Sequence, residues 1–163
     1  MNPSGNAGTY GRIVVGVDDT AGGLAALRQA VGLARDSGSQ LVAVRSWELG
    51  LPRHGGRRNR HARHLATGVS YHGTQQRANS RHLVRQALRA AGGGLAPDVP
   101  VTIRTPHGDP GVALTTIARA GDVLVVGTEP RHNMRRLVHG SVSDYCRAHA
   151  HCRVVVVAAE NRQ

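Results

Sequence analysis

Val123–Val157 reads VLVVGTEPRHNMRRLVHGSVSDYCRAHAHCRVVVV. An apolar run of strand length ends in a turn at Gly127, a basic loop follows, a helix opens near Gly140-Ser141, and a second apolar run starts at Arg153. Runs without polar alternation suit strands buried on both faces of a parallel sheet. This order places free backbone N–H groups beside the carboxyl edge of that sheet, where an anion such as a phosphate finds donors. Pro130 counts against such a cradle, because proline has no N–H to give.

The same grammar recurs upstream. Arg12–Val17 (RIVVGV) is a short apolar run ended by Asp18-Asp19-Thr20, of which Asp18 or Thr20 can cap the next element. From Ala21 to Ser37, Leu24, Leu27, Ala30, Val31 and Ala34 recur at helical spacing until Gly38 stops the pattern. Gln40–Trp47 reads as a second strand, so the opening is a βαβ unit with parallel pairing and a right-handed crossover. A helix from about Gln75 to Ala91 turns Ala78, Leu83, Ala87 and Leu88 to the sheet. Val99–Thr105, Pro110–Ala120, Asp122–Val126, Ser141–His149 and Arg153–Ala158 complete five strands and four helices, with no internal repeat.

Between the second strand and second helix lies a basic stretch, residues 50–70, in which Arg53, Arg57, Arg58, Arg60 and Arg63 alternate with His54, His61 and His64. It reads as a solvated or disordered loop. Lacking aromatic interleaving, it suits only salt-sensitive, non-specific polyanion binding and no sequence-specific nucleic-acid readout. The 163 residues fit one domain, with residues 1–10 a flexible N-terminus. Phe is absent and Trp47 is the single tryptophan, so Val, Leu and Ala fill the core. All 21 basic residues are arginine, which reads as a compositional habit, yet the formal charge of +11 still attracts polyanions. With no apolar run of membrane-spanning length and no signal-peptide pattern, a cytoplasmic location and no membrane partner are expected.

Cys146, His149, His151 and Cys152 offer soft metal ligands in C-x2-H-x-H-C, but Cys152 enters a strand while Cys146 sits on a helix, so the spacing opposes one tetrahedral zinc site. Two cysteines so close in sequence are no secreted disulfide framework. No metal site is expected. No Walker lysine, carboxylate pair or triad is visible, so strong catalysis is not expected either. Arg153–Ala158 reads as an edge strand whose valine row invites pairing with a second copy.

From about Arg12 to Ala158 the chain resembles the universal stress protein family. The match rests on IVVGVDDT, HGDPGVAL from His107, VVGT at Val125–Thr128, and HGSVSDYCRAHAHCRVVVV at His139–Val157. The resemblance implies a Rossmann-like three-layer α/β/α sandwich with a five-stranded parallel sheet in the order 3-2-1-4-5, and a nucleotide crevice between strands 1 and 4. It implies ATP or another adenine nucleotide, with Mg²⁺ where phosphates are bound, slow ATP hydrolysis at most, and a homodimer formed through the last strand. ATP-binding members carry G-x-x-G-x9-G-[ST]; this chain has Gly127, Pro130 and Gly140-Ser141 in that register. By position, Val17 and Asp18 border adenine or ribose, and Ser46 lines the base pocket through its backbone. Gly127, Gly140, Ser141 and Val142 surround ribose and phosphates. Glu129 stands at the rim, where Arg131, Arg135 and Arg136 offset its charge. The competing expectation is a dimeric interaction module in which Pro130 has closed the phosphate site.

Overall fold

The computed structural model describes residues 10–48, 66–92, 98–128 and 142–159. Five parallel strands, β1 (Arg12–Gly16), β2 (Gln40–Val44), β3 (Val101–Arg104), β4 (Val123–Thr128) and β5 (Arg153–Ala158), form one sheet in the order β3-β2-β1-β4-β5. Helices α1 (Ala21–Ser37), α2 (Ala66–Gly92), α3 (Pro110–Ile117) and α4 (Val142–His149) connect them.

The valine-rich strands are apolar throughout because each feeds two cores. Side chains alternate across a strand. Ile13 and Val15 of β1 face one layer with Leu27, Ala30 and Val31 of α1 and Val84 and Leu88 of α2. Val14 faces the other with Leu124, Val126, Leu114 of α3 and Cys146 of α4. Fully enclosed side chains no larger than Ile and Leu fill both layers, as the lack of Phe requires.

Helix α1 matches its sequence bounds, and Gly38 ends it in the left-handed conformation (φ 66°) with its N–H returned to Ala34 and Arg35 carbonyls. Helix α2 departs from expectation. It begins at Ala66, so the last residues of the basic stretch are helical rather than loop. Its buried row is Ser80, Val84 and Leu88, with Leu83 and Ala87 flanking, whereas Ala78 is exposed. An arginine-rich, apolar-poor segment gives periodicity too weak a signal to fix either its start or its phase. Smaller corrections fall at element ends: β2 stops at Val44, β3 at Arg104 and α3 at Ile117, while β4 runs on to Thr128 because β5 pairs with it residue for residue. Trp47 still touches the sheet through a single parallel bridge to His107.

The amino end of the sheet is closed by charge. Asp122, 6% exposed, accepts Arg12 Nη2 at 2.6 Å and Nε at 3.2 Å and the Arg119 backbone N–H at 2.9 Å, while Arg12 Nη2 also reaches the Ile117 carbonyl at 3.0 Å. The bidentate geometry ties the start of β1 to the turn before β4. Burial raises the Asp122 pKa, but the Arg12 and backbone hydrogen bonds outweigh it and leave the carboxyl below the usual carboxylate value. Because the folded carboxyl holds its proton more weakly than the unfolded one, its stabilisation is complete above about pH 4 and is lost as pH falls through the folded pKa. Asp122→Asn should cost roughly 1–3 kcal/mol at pH 7, since a partly buried guanidinium loses its counter-ion. Thermal melts from pH 7 to pH 2.5 should show the gap between wild type and variant narrowing below about pH 4; a gap that stays constant with pH would contradict the assignment.

Candidate functional site

The carboxyl edge of the sheet is where the chain order reverses, β1 leading to β2 on one side and β4 lying on the other. Connections leave in opposite directions there and a crevice opens. A cavity of about 260 Å³ fills it. Its floor and walls come from Gly16, Val17 and Asp18 after β1, from Val44, Arg45 and Ser46 at the end of β2, and from Val126 and Gly127 of β4. Pro110, Leu114 and Val142 close the other side.

Each segment is held by the backbone. The Val17 N–H donates to the Val44 carbonyl at 2.8 Å, and the Arg45 N–H to the Arg104 carbonyl at 3.1 Å, so pairing persists beyond the strand ends. Trp47 pins the far side, its Nε1–H donating to the Thr105 carbonyl at 3.0 Å and its ring meeting His107 edge-on. Thr20 rather than Asp18 caps α1: its Oγ1 accepts the Gly23 N–H at 2.9 Å and donates to Asp18 Oδ1 at 2.6 Å. Asp18 Oδ1 also accepts the Thr20 N–H at 2.9 Å. With Oδ1 committed to the turn, Oδ2 has no hydrogen-bond partner among the described residues.

Glycine makes the joint between α1 and β4 possible. A Cβ on Gly127 would lie 2.6 Å from the Gly23 nitrogen, and one on Gly22 would lie 2.9 Å from the Thr128 carbonyl carbon; real side chains do not tolerate such approaches. The first turn of α1 therefore rests directly on the backbone leaving β4. A Cβ on Gly111 would likewise lie 2.7 Å from the Tyr145 ring, so glycine there lets α3 and α4 approach each other. With Pro110 and Val142 at the cavity wall, the amino ends of α3 and α4 both open onto the cleft, where helix dipoles favour negative charge. Asp109 caps α3 through the Val112 N–H at 3.0 Å. Among the described residues the charged groups lining the cavity are Asp18 and Arg45, the latter in a bidentate ion pair with Asp19 at 2.7 and 3.1 Å.

Of the residues expected at the site, Val17, Asp18, Ser46, Gly127 and Val142 line this one cavity. Glu129, Pro130, Gly140 and Ser141 lie outside the described residues, as do Arg131, Arg135, Arg136 and the basic run from Arg53 to His64. Sequence reasoning missed Gly22 and Gly23, although a Gly-Gly pair opening a helix, where glycine costs stability, was a readable signal. It also missed Pro110 and Leu114, which join the site only through the fold. Among the described residues no three His, Cys, Asp or Glu side chains gather into a metal-binding group. Cys146 is buried in the core, and desolvation, with smaller effects from Cys152 and Asp109, pushes its pKa up to about 11, so it remains a thiol at neutral pH. His149, on the same helix, is exposed and stacks on Tyr145 instead, with ring centroids 4.1 Å apart.

A parallel 3-2-1-4-5 sheet with a cleft at its switch point defines a doubly wound, Rossmann-like α/β protein. The chain belongs to the universal stress protein family, whose family model matches residues 9–158. Among solved structures it is similar to the universal stress protein UspA from Lactobacillus plantarum, with 22% identity, TM-score 0.64, and coverage of 92% of this chain and 99% of that one. It is similar also to a universal stress protein in complex with cAMP, with 21% identity, TM-score 0.62, and coverage of 94% and 100%. A third is a universal stress family protein from Burkholderia pseudomallei, with 21% identity, TM-score 0.57, and coverage of 94% and 98%. These likenesses establish the shared fold. No match was found among curated proteins.

The glycine joint yields a paired prediction. Ala in place of Gly normally stabilises a helix interior by about 1 kcal/mol. Gly32→Ala, where nothing lies within 4 Å of the new Cβ, should do so. Gly22→Ala, on the same helix but against Thr128, should instead destabilise by roughly 1–3 kcal/mol. Urea unfolding of both variants reads the contrast, and equal shifts in the same direction would contradict the close approach.

Proposed function

We propose that the cleft binds an adenine nucleotide, ATP or a related one, in a stress-response or signalling role without strong catalysis. The observation that carries this reading is the convergence of Gly127, Val17-Asp18 and the amino ends of α3 and α4 on one cavity at the sheet's switch point. A volume of about 260 Å³ suits a base and ribose. It falls just short of the ~300–1,000 Å³ of pockets that enclose larger ligands, so phosphates would run along the rim between Gly127 and Val142. Val17, Val44 and Leu114 supply apolar surface for a base, Asp18 Oδ2, which has no hydrogen-bond partner among the described residues, suits a ribose hydroxyl, and Ser46 offers backbone groups. The related structure holding cAMP lends support, because it shares the fold. With no lysine in the chain, a Walker-type phosphate lysine is excluded, and binding rather than rapid turnover is the natural role.

Pro130 favours a second reading, a dimeric interaction module that does not bind ATP, since proline removes one backbone donor from the family's motif. Isothermal titration with ATP, AMP and cAMP at moderate salt separates the two. Saturable binding of at least one is expected, and no saturable heat from any of them would contradict the first reading. Under the second reading, Pro130→Gly should confer ATP binding on a parent that lacks it.

Both readings include a homodimer through β5. Strand β5 is the sheet edge, and Val154–Val157 remain only half-buried in the single chain although the row is wholly apolar. An open apolar edge of this kind suits pairing with a second copy. Light scattering coupled to size exclusion should give twice the 17.2 kDa chain mass, and Val156→Arg should return it to the monomer; a wild-type monomer at tens of micromolar would contradict the dimer.

A further inference from the structure

Helix α2 carries an arginine row that the fold does not use. Arg77, Arg81, Arg85 and Arg89 follow one another at intervals of four residues, and all four are exposed. Of the eight other described arginines, three find carboxylates: Arg12 meets Asp122, Arg35 meets Asp98, and Arg45 meets Asp19; the remaining five are scattered over other elements and form no row of this length. Residues 66–92 contain no Asp or Glu, so no acidic neighbour stands three or four residues from any member of the row. The elements that pack most against α2 are α1 and β3, which contribute one carboxylate between them, Asp36, while Trp47, the neighbour of Glu48, lies against Gly73 at the other end of the row. Among the described residues no ion pair engages the row.

Like charges spaced i, i+4 repel along a helix, so the row works against the helix that bears it. A compositional habit of using arginine explains why these cations are not lysines; it does not place four of them in succession along one ridge of a single helix. At a rise of 1.5 Å per residue the row spans about 18 Å with a guanidinium every ~6 Å, which is the axial length of roughly five base pairs. Exposed Gln75, Gln76, Asn79 and Gln86 beside it are neutral donors suited to phosphate and sugar oxygens.

The chemistry on the helix selects among anions. The described part of α2 exposes no large hydrophobic residue, Val112 and Val142 being the only exposed large hydrophobics among the described residues, whereas a membrane-surface helix needs an apolar face to insert. A protein interface would bring a central aromatic or aliphatic anchor, and residues 73–92 of α2 expose none. We infer that the exposed arginine row of α2 is a docking surface for the phosphodiester backbone of a nucleic acid, read by charge and without base recognition. This surface is separate from the nucleotide cleft and does not depend on what that cleft binds.

The test is fluorescence anisotropy with a labelled 20-base-pair duplex of mixed sequence between 50 and 200 mM NaCl, on the full chain. Wild-type binding should be insensitive to duplex sequence and weaken steeply with salt. The variant R77Q/R81Q/R85Q/R89Q should bind at least tenfold more weakly at 100 mM salt, and the slope of log Kd against log salt should fall by roughly 3–4, at about 0.9 for each phosphate no longer neutralised. Glutamine is as good a helix former as arginine, so the variant should melt no lower than wild type. Should it unfold, the double variant R85Q/R89Q carries the same test with a slope change of roughly 2. Variant affinity within twofold of wild type, an unchanged salt slope, or wild-type binding to phosphatidylserine vesicles as tight as to the duplex would each overturn the inference.

Discussion

The close backbone contact between the first turn of α1 and the end of β4 is the constraint on which the site depends. Gly22 meets the backbone of Thr128, and Gly127 meets the Gly22–Gly23 peptide, with no room for a Cβ on Gly22 or on Gly127. That contact sets how far α1 slides over the sheet, and with it the position of the Thr20 cap and of Asp18, whose Oδ1 is bound to Thr20. One end of β4 thus carries both a glycine that lines the cleft and the surface on which the helix after β1 rests. A side chain at Gly127 would disturb both at once, so folding and site geometry are coupled at this residue.

The two ends of the sheet solve opposite problems. At the amino end, Arg12 and Asp122 satisfy each other and the neighbouring backbone, so this edge is closed and polar groups have no need of a ligand. At the carboxyl end, Asp18 and the amino ends of α3 and α4 border a cavity, and among the described residues Asp18 Oδ2 has no hydrogen-bond partner. The buried charge pair and the candidate cleft therefore lie at opposite ends of the strands, the carboxyl end being where open α/β sheets generally take ligands. The Arg45–Asp19 pair at the mouth is solvent-exposed on its acidic side and contributes little to stability, of order 0–1 kcal/mol. Its effect is to fix the rim.

Much of this was legible in the residues. Apolar runs without alternation announced buried strands, Gly38 announced the end of α1, and the chain order with the family motifs gave the sheet topology and the address of the cleft. Five of the residues expected there do line one cavity. What was not legible depends on distance in space. Pro110 and Leu114 enter the cleft only because α3 crosses the sheet, and the role of Gly22 appears only when β4 is beside it. Helix α2 misled because its burial is shallow: with Ser80 in the buried row and arginines throughout, hydrophobic spacing gives a poor phase.

The central claim is that an adenine nucleotide occupies the switch-point cleft. Backbone amide shifts in a ¹⁵N-labelled sample titrated with AMP and then ATP test its location directly. The account predicts saturable shifts at Val17, Asp18, Ser46, Gly127 and Val142, with the amides around Arg12 and Asp122 unmoved. Saturable shifts centred elsewhere, or none at these five positions at millimolar nucleotide, would contradict it.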